Sequence, residues 1–302
     1  MRLPDGVLGM AGRDASWADW VDRLPAMTSA LLTEWELAVD GWPMHGYCSL
    51  VVPVRTADRT PAVLKVTYDG DEESQFEHLA LQRWGGRGAV RLLRADPRRR
   101  AMLLERLHQE DLRDVWDIEA CEVVARLYRE IHVPALPQLR PLTSYVERWG
   151  GELAALSRSA PLPRRLVEQA VSLGRDLVAD PASTGTMIHG DLHYFNVLSA
   201  DRARWLVIDP KPMSGDPHYE PAPMLWNRFE ELGGDVRSGV RRRFHVLVDA
   251  AGLDEDRSRD WVIVRMMHNA LWRLQEDPGM VRRTATQAWL TMCIAIAKAV
   301  QE

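Results

Sequence analysis

Residues 187–210 read MIHGDLHYFNVLSADRARWLVIDP, and this stretch decides the expected fold. It places Asp191 five residues before Asn196 and ends, after an apolar run, in a second aspartate, Asp209. The intervening residues suffice for two short strands joined by a polar turn, a β-hairpin that would bring Asp209 back beside Asp191 and Asn196. Two carboxylates and an amide would then face one cavity. Such a set suits the binding of Mg²⁺ and the acceptance of a proton, which are the needs of phosphoryl transfer.

A structural explanation competes with this one. Asp and Asn are common in turns because their side chains hydrogen-bond the nearby backbone, so HGD alone could be only a tight turn. The full pattern is more specific, because HGDxxxxN is followed by a hairpin and by an apolar run that ends in Asp209. The pattern therefore favours a phosphotransferase site over a simple turn.

Composition narrows the class of protein. The 302 residues are enough for one large domain or two lobes, and 46% hydrophobic with 27% charged residues is typical of a globular protein. The net charge of −5 argues against a nucleic-acid partner and is compatible with a cationic ligand. We expect a monomer that binds a small molecule, with neither a nucleic-acid nor a membrane partner.

The cysteines and the N-terminus bear on localisation. Cys48, Cys121 and Cys293 are odd in number, far apart and without a CxxC pair, which argues against a disulfide framework or a zinc site. The first residues lack the apolar stretch of a signal peptide, and no run approaches the roughly 18 apolar residues of a membrane span. We therefore predict a cytoplasmic protein.

The pattern of apolar residues predicts an α+β fold with two lobes. Residues 1–105 would form a small nucleotide-binding lobe with an antiparallel sheet, and residues 106–302 a larger helical lobe with the catalytic loop and the acceptor site. A nucleotide would bind in the cleft between the lobes. The predicted strands are Ser49–Val54, Ala62–Val66, Ala89–Leu93 and Ala101–Leu104. The predicted helices are Pro25–Leu37, Asp71–Trp84, Asp114–His132, Thr143–Leu156, Leu162–Ala179, Ala222–Leu232, Val236–Ala251, Arg257–Gln275 and Val281–Val300.

Lys65 interrupts the apolar strand AVLKV, and it is the second candidate site residue. A lysine on an edge strand can simply point to solvent. Here, however, Glu73 and Glu77 follow four residues apart on one helix face, and either could pair with Lys65. A paired strand lysine binds the α- and β-phosphates in kinases. We favour Glu77, because it lies deeper in the apolar part of the helix, whereas Glu73 could serve only the helix start.

The loop that would cover the phosphates is Met44–Ser49, between the first strands. It contains one glycine and no GxGxxG motif, and Ser49 could reach phosphate through its backbone or its hydroxyl. The arginines at positions 98–100 follow an Asp-Pro turn, and we interpret them as a solvated hairpin tip rather than a nucleic-acid site.

In the central stretch we assign Asp191 as the base that accepts the proton of the acceptor hydroxyl, and Asn196 and Asp209 as ligands of Mg²⁺. His189 and His193 are four residues apart, but Gly190 between them argues against a helical metal pair. His189 is interpreted as a residue that positions the loop. His78, His108 and His132 are interpreted as ordinary surface or core histidines.

These motifs together resemble the aminoglycoside phosphotransferase family of small-molecule kinases, which share the protein-kinase-like fold. HGDLHYFNVL and VIDP match the catalytic loop and the metal-binding aspartate of that family. HGD replaces the HRD of protein kinases, IDP replaces DFG, and no APE motif follows. Further stretches, among them WELAVDGWPMHGYCSLVVPV and AVLKV, resemble the branch of streptomycin 6-phosphotransferases and hydroxyurea phosphotransferases. The resemblance covers nearly the whole chain.

The resemblance implies that ATP (or GTP) and Mg²⁺ are used and that a γ-phosphate is transferred to a hydroxyl. It also implies that the backbone of Glu105 to Leu107 contacts the purine edge, and that the acceptor lies beside Asp191. For each candidate acceptor contact, a helix-surface charge or a core aromatic is an equally good explanation. These candidates are Lys211, Asp216, Glu220, Asn227, Glu230, Trp272 and Glu276.

Three functions remain open at this point. The first is a kinase that inactivates streptomycin or a related aminoglycoside, and the second is a kinase of the same fold acting on hydroxyurea, a metabolite or a biosynthetic intermediate. The third is a nucleotide-binding pseudokinase. The presence of Lys65, Asp191, Asn196 and Asp209 argues against the third, because a degraded kinase usually lacks at least one of them.

Overall fold

In the computed structural model, which describes residues 2–276 and 284–301, the predicted strands Ser49–Val54 and Ala62–Val66 form a hairpin at the centre of an antiparallel sheet. β3 and β4 pair from Ser49 opposite Thr67 to Arg55 opposite Pro61, and the order of the sheet is β1-β3-β4-β6-β5, with β2 on β3. The strands are β1 (Ala38–Val39), β2 (Met44–His45), β3 (Ser49–Arg55), β4 (Pro61–Thr67), β5 (Leu92–Asp96) and β6 (Ala101–Glu105).

One face of this sheet is covered by α1 (Asp5–Met10) and α2 (Ala15–Glu34), while α3 (Glu77–Trp84) follows β4. Side chains alternate along a strand, so Leu64 and Val66 point to one face and join the apolar core that includes Leu24 and Leu31 of α2. Each of these four side chains is fully buried. Lys65 therefore projects from the opposite face.

The remaining helices form most of a second unit. Its core includes Leu142, Val146, Trp261 and Val264, which are fully or almost fully buried. The helices are α4 (Asp117–Ile131), α5 (Leu142–Ala154), α6 (Arg164–Ala179), α7 (Ala222–Trp226), α8 (Val236–Ala251), α9 (Glu255–Glu276) and α10 (Thr284–Ala299). The short strands are β7 (Val133–Pro134), β8 (Thr186–Ile188), β9 (Val197–Leu198), β10 (Leu206–Val207) and β11 (Met213–Gly215), of which β7, β8 and β11 form an antiparallel sheet.

The two compact units divide the chain differently from the predicted lobes 1–105 and 106–302. The first unit is Met1–Gln109 with Ser199–Lys211, and the second is Glu110–Leu198 with Pro212–Glu302. The segment Ser199–Lys211 belongs to the first unit because β10 hydrogen-bonds there. The Val207 N–H donates to the Gly88 carbonyl, and the Val207 carbonyl accepts from the Val90 N–H, both at 2.9 Å.

Several predicted element bounds are wrong, each for a local reason. The helix predicted at Pro25–Leu37 begins ten residues earlier, where the Asp14 carboxylate accepts hydrogen bonds from the Ser16 and Trp17 N–H groups and caps α2. The helix predicted at Asp71–Trp84 begins only at Glu77, after a series of turns.

Three other predicted elements differ at one end or in the middle. The strand predicted at Ala89–Leu93 lies at Leu92–Asp96. The helix predicted at Ala222–Leu232 ends at Trp226, because Arg228 adopts a left-handed backbone (φ 55°). The rest of the predicted range, Phe229–Leu232, is a 3₁₀ helix. The start of the helix predicted at Val281–Val300 lies outside the described residues. Within residues 2–276 and 284–301, no helix is long and apolar enough to cross a membrane.

Candidate active site

Lys65 lies buried on the face of the sheet where α3 begins. Its Nζ atom is 2.7 and 2.8 Å from the two carboxylate oxygens of Glu77. The predicted pair of Lys65 with Glu77 is confirmed, and Glu77 rather than Glu73 is its partner. The side chains are 8% and 1% exposed, so each charge depends on the other for compensation in a poorly solvated place.

Asp209 is the second partner of Lys65, at 2.5 Å from Nζ. Lys211 approaches the same carboxylate, with its Nζ 3.4 and 3.3 Å from the two oxygens. Burial alone would raise the pKa of Asp209, but the charges of Lys65 and Lys211 hold that pKa well below its usual range. These two ammonium groups therefore favour the ionised form of Asp209.

The backbone at Asp209 is strained. Its φ is 55°, in the left-handed region that few residues other than glycine, asparagine and aspartate adopt. The next residue is Pro210, which normally pushes its predecessor to an extended conformation. A residue held in such a conformation costs of the order of 1–3 kcal/mol, and such residues cluster at functional sites.

The loop Met44–Ser49 is packed against the N-terminal helices. The His45 ring lies so close to Gly6 of α1 that a Cβ atom there would come within 2.0 Å of its Nε2. The guanidinium of Arg13 lies 4.3 Å from the Tyr47 ring centroid. Ser49 is buried at the start of β3, and its carbonyl accepts a hydrogen bond from the Gly46 N–H at 3.0 Å. The loop is thus held by its own hydrogen bond and by contacts with the N-terminal segment.

Glu105 and Leu107 lie at the end of β6, where the purine edge was predicted to bind. The Glu105 carboxylate is engaged inside the first unit, since it accepts from the Arg91 N–H at 2.7 Å and forms an ion pair with Arg202. Leu107 makes no backbone hydrogen bond within residues 2–276 and 284–301, so its N–H and carbonyl remain available. The Glu105 N–H donates to the Arg91 carbonyl at 3.0 Å. Contact of the backbone of Glu105 to Leu107 with a purine edge stays a prediction.

In the second unit, Asp191, His193 and Asn196 lie close to one another in residues 189–196, which we call the catalytic loop. The Asn196 side-chain amide donates to the Asp191 carbonyl at 2.8 Å, and His193 Nε2 lies 3.7 Å from the Asp191 carboxylate. Burial raises the pKa of Asp191, but the nearby His193 side chain outweighs burial and lowers that pKa overall. Asp191, whose side chain is 33% exposed, is thus an ionised and accessible carboxylate.

Glu220 and Arg265 support this loop from inside the protein. The fully buried Glu220 carboxylate accepts hydrogen bonds from the His189 N–H and, at 3.4 Å, from the Gly190 N–H. The Arg265 guanidinium donates to the Gly190 carbonyl at 2.5 Å. Gly190 has a φ of 83°, which glycine adopts without strain. His189 Nδ1 accepts from the Asp191 N–H at 3.3 Å, in keeping with the predicted positioning role of His189.

Three residues predicted as acceptor contacts have partners within the protein. Glu220 is the buried support of the loop. Asp216 is 1% exposed, and its carboxylate is saturated by the Trp261 indole N–H at 2.7 Å, by Arg257 at 2.6 Å and by His218. Lys211 belongs to the first unit, where it pairs with Asp209. The charges of these three residues are paired or hydrogen-bonded within the protein, and residue type alone does not reveal such partners.

The other candidates remain on the surface of the second unit. Trp272 is 39% exposed, which excludes the alternative of a core aromatic. Glu230 is exposed, and Glu276 is exposed with an ion pair to Arg273 at 3.2 Å. Asn227 caps the end of α7 by donating to the Pro223 carbonyl at 3.0 Å.

The donor set suits Mg²⁺. The Asn196 Nδ2 group is engaged, which leaves its Oδ1 without a hydrogen bond among the described residues, and the Asp209 carboxylate is 35% exposed. Mg²⁺ prefers oxygen ligands and usually takes only one or two carboxylates beside water and phosphate. No cluster of three or more His, Cys, Asp or Glu side chains suited to a metal occurs in the described part of the chain. Asn196 and Asp209 thus each offer oxygen atoms of the kind that Mg²⁺ prefers.

Comparison with known proteins decides the family. The family described as "Aminoglycoside/hydroxyurea antibiotic resistance kinase" matches residues 34–277. The chain belongs to this kinase family. It is 40% identical to the streptomycin 6-kinase of Streptomyces glaucescens over 87% of this chain and 88% of that protein. It is 37% identical to the hydroxyurea phosphotransferase of Kitasatospora aureofaciens over 89% of this chain and 77% of that protein.

A solved structure agrees with the kinase fold. A thermostable mutant of the aminoglycoside phosphotransferase APH(4)-Ia, in a ternary complex with ADP and hygromycin B, superposes with a TM-score of 0.60. The match covers 90% of this chain and 97% of that one at 14% sequence identity. The predicted α+β, protein-kinase-like fold is confirmed.

Sequence reasoning missed Arg265 and the roles of three other residues of this kinase. Glu220 and Arg265 lie 31 and 75 residues from the loop residues that they hold, and no local pattern reveals such contacts. The sequence indicates only that His193 is a poor metal ligand, although its Nε2 lies 3.7 Å from the Asp191 carboxylate. For Lys211 a signal existed, since lysine is rare in this chain.

Proposed function

We propose that this kinase transfers the γ-phosphate of ATP to a hydroxyl of streptomycin and so inactivates the antibiotic. The observation that carries the proposal is the 40% identity to a streptomycin 6-kinase over 87% of the chain. The accessible, ionised Asp191 in the catalytic loop supplies the matching chemistry.

In the reaction, the acceptor hydroxyl oxygen forms a bond to the γ-phosphorus as the bond from that phosphorus to the β,γ-bridging oxygen breaks, and ADP leaves. The hydroxyl proton passes to the Asp191 carboxylate. His193 restricts this carboxylate from one side, and the hydrogen bond from Asn196 to the Asp191 carbonyl fixes the loop that carries it. Orientation of the hydroxyl is thus the main contribution of these residues.

In the first unit, Lys65 would contact the α- and β-phosphates while Glu77 holds its ammonium in place. Ser49 would lie at the phosphates, and the backbone of Glu105 to Leu107 would contact the purine edge of ATP or GTP. We assign Asn196 and Asp209 as the protein ligands of Mg²⁺. When bound, this metal neutralises negative charge on the β- and γ-phosphates.

For the acceptor, Trp272 offers an exposed aromatic face, and Glu230 and Glu276 offer carboxylates for the cationic groups of an aminoglycoside. Asn227 offers an amide. These assignments rest on exposure and charge. The protein would act as a cytoplasmic monomer without a nucleic-acid partner, which stays a prediction.

Hydroxyurea is the second candidate acceptor. The 37% identity to a hydroxyurea phosphotransferase is close to the value for the streptomycin kinase, and both acceptors present a hydroxyl to the same base. An unidentified metabolite or biosynthetic intermediate would require the same catalytic residues.

The deciding experiment measures ADP release from MgATP with streptomycin, other aminoglycosides, hydroxyurea and no acceptor. Streptomycin-dependent turnover above the no-acceptor rate is expected, and NMR of the product would identify the phosphorylated hydroxyl. Turnover with hydroxyurea alone would favour the second candidate. A background rate unchanged by every acceptor would contradict both.

The Asp191→Ala variant tests the assignment of the base. Turnover should fall by about 10²–10⁴-fold, as expected for removal of a general base, while the affinity for MgATP stays within a factor of about two. Wild-type turnover in this variant would show that Asp191 is not the base.

A further inference from the structure

Lysine is scarce in this chain and is concentrated at one carboxylate. Of the 38 Lys and Arg residues only three are lysines, namely Lys65, Lys211 and Lys298. Two of the three bind Asp209, whereas Lys298 is exposed on α10. Arginine serves almost everywhere else for surface charge and for ion pairs. Two compact ammonium groups, those of Lys65 and Lys211, therefore contact the Asp209 carboxylate, where a planar guanidinium would be a poor substitute.

The two lysines are not equivalent. Lys65 is held by both oxygens of Glu77 at 2.7 and 2.8 Å, as well as by Asp209. Lys211 is 15% exposed, and its longer contacts of 3.3 and 3.4 Å to Asp209 are its only ion pair among residues 2–276 and 284–301. Lys65 is thus fixed, and Lys211 is the ammonium that can change partner.

Lys211 is also within electrostatic reach of the loop Met44–Ser49. Burial raises the pKa of Cys48 in this loop to about 12, and the positive charge of Lys211 acts against that rise. The Cys48 thiol in turn donates to the Asp71 carboxylate at 3.1 Å. The ammonium of Lys211 therefore pairs with the Asp209 carboxylate and also acts on the loop predicted to cover the phosphates.

We propose that Lys211 is a phosphate-binding residue, whose ammonium leaves Asp209 and binds an oxygen of the γ-phosphate. A divalent cation on Asp209 would repel this ammonium, and the γ-phosphate is the anion that accompanies such a cation in ATP. The inference rests on the proposed phosphotransferase function, and it adds a second phosphate-binding lysine beside Lys65. The positive charge would then stabilise the negative charge on the phosphoryl group during transfer.

A binding comparison tests this role without turnover. The affinities for MgADP and for Mg²⁺ with the non-hydrolysable β,γ-imido analogue of ATP are measured by calorimetry in Lys211→Met, Lys211→Arg and the matched control Lys298→Met. Lys211→Met should weaken binding of the analogue by about 10–100-fold, as expected for loss of a charge-assisted hydrogen bond, and binding of ADP by less than about threefold. Lys211→Arg should be intermediate, and Lys298→Met should match the wild type. An equal loss for both nucleotides, or none, would overturn the proposal.

Labelling of the wild-type protein gives a second readout that does not depend on the folding of a variant. Amine acetylation is followed by mass spectrometry at Lys211 and Lys298, with MgADP or with the Mg²⁺ analogue complex. The analogue should protect Lys211 more than ADP does, and neither should change Lys298. Equal protection of Lys211 by both nucleotides would overturn the proposal. Absence of streptomycin turnover with a normal ADP-versus-analogue difference would instead contradict only the choice of acceptor.

Discussion

Replacement of Glu220 separates a structural role from an acceptor contact. Glu220→Ala removes the acceptor of the buried N–H groups of His189 and Gly190. An unsatisfied buried donor costs about 1–3 kcal/mol, so two of them should destabilise the protein by about 2–6 kcal/mol. For a protein of this size the thermal midpoint should fall by roughly 5–15 °C. Glu220→Gln keeps an acceptor oxygen and should lose less than about 2 kcal/mol.

The kinetics should follow the same reasoning. Because Glu220 holds the backbone on which Asp191 sits, Glu220→Ala should lower kcat by at least about tenfold and leave the KM for streptomycin within a factor of about two. Thermal unfolding and steady-state ADP release measure the two effects. The matched control is Glu230→Ala, which removes an exposed carboxylate and should not shift the midpoint. An unchanged midpoint with a raised KM in Glu220→Ala would refute the reasoning and restore Glu220 as an acceptor contact.

Three further predictions concern the nucleotide and the base. Glu77→Gln should weaken MgATP binding at least about tenfold in a fluorescence titration, because Lys65 loses its buried counter-charge, whereas Glu73→Gln should not. Because the pKa of Asp191, the proposed base, is lowered, this carboxylate stays ionised and kcat/KM should not fall between pH 7 and pH 5. A fall in kcat/KM with a midpoint near pH 6 would point to another base. In Gly6→Ala, the new Cβ atom would lie 2.0 Å from the ring of His45 in β2, so this variant should weaken MgATP binding without changing the KM for streptomycin. Gly9→Ala adds a Cβ atom in open space and should change neither quantity.

The elements that could be predicted are those with a local pattern. The β3–β4 hairpin follows from alternating apolar residues around a polar turn, and the break at Lys65 marks a side chain on the face opposite to the core. The choice of Glu77 over Glu73 also succeeded, because depth along an apolar helix predicts burial. Such signals are contained within a few neighbouring residues.

The features that the sequence did not reveal depend on contacts between distant parts of the chain. Asp216 and Glu220 look like surface acids in sequence, yet their partners lie 31 to 45 residues away and remove both carboxylates from solvent. The hydrogen bonds of β10 to Gly88 and Val90 likewise assign residues 199–211 to the first unit. The early start of α2 is different, because the Asp14 cap was readable and was overlooked.

The left-handed backbone at Asp209 limits how mutagenesis at this position can be interpreted. Asp209→Ala removes the carboxylate that we propose binds Mg²⁺ and also places a residue ill suited to φ 55° before Pro210. A loss of nucleotide affinity in that variant mixes chemistry with conformational strain. Asp209→Asn keeps a side chain that tolerates this backbone, so it isolates the lost charge. Most single-base changes in codon 209 are therefore expected to be harmful, because the new residue would disturb both the backbone conformation of the loop and the site.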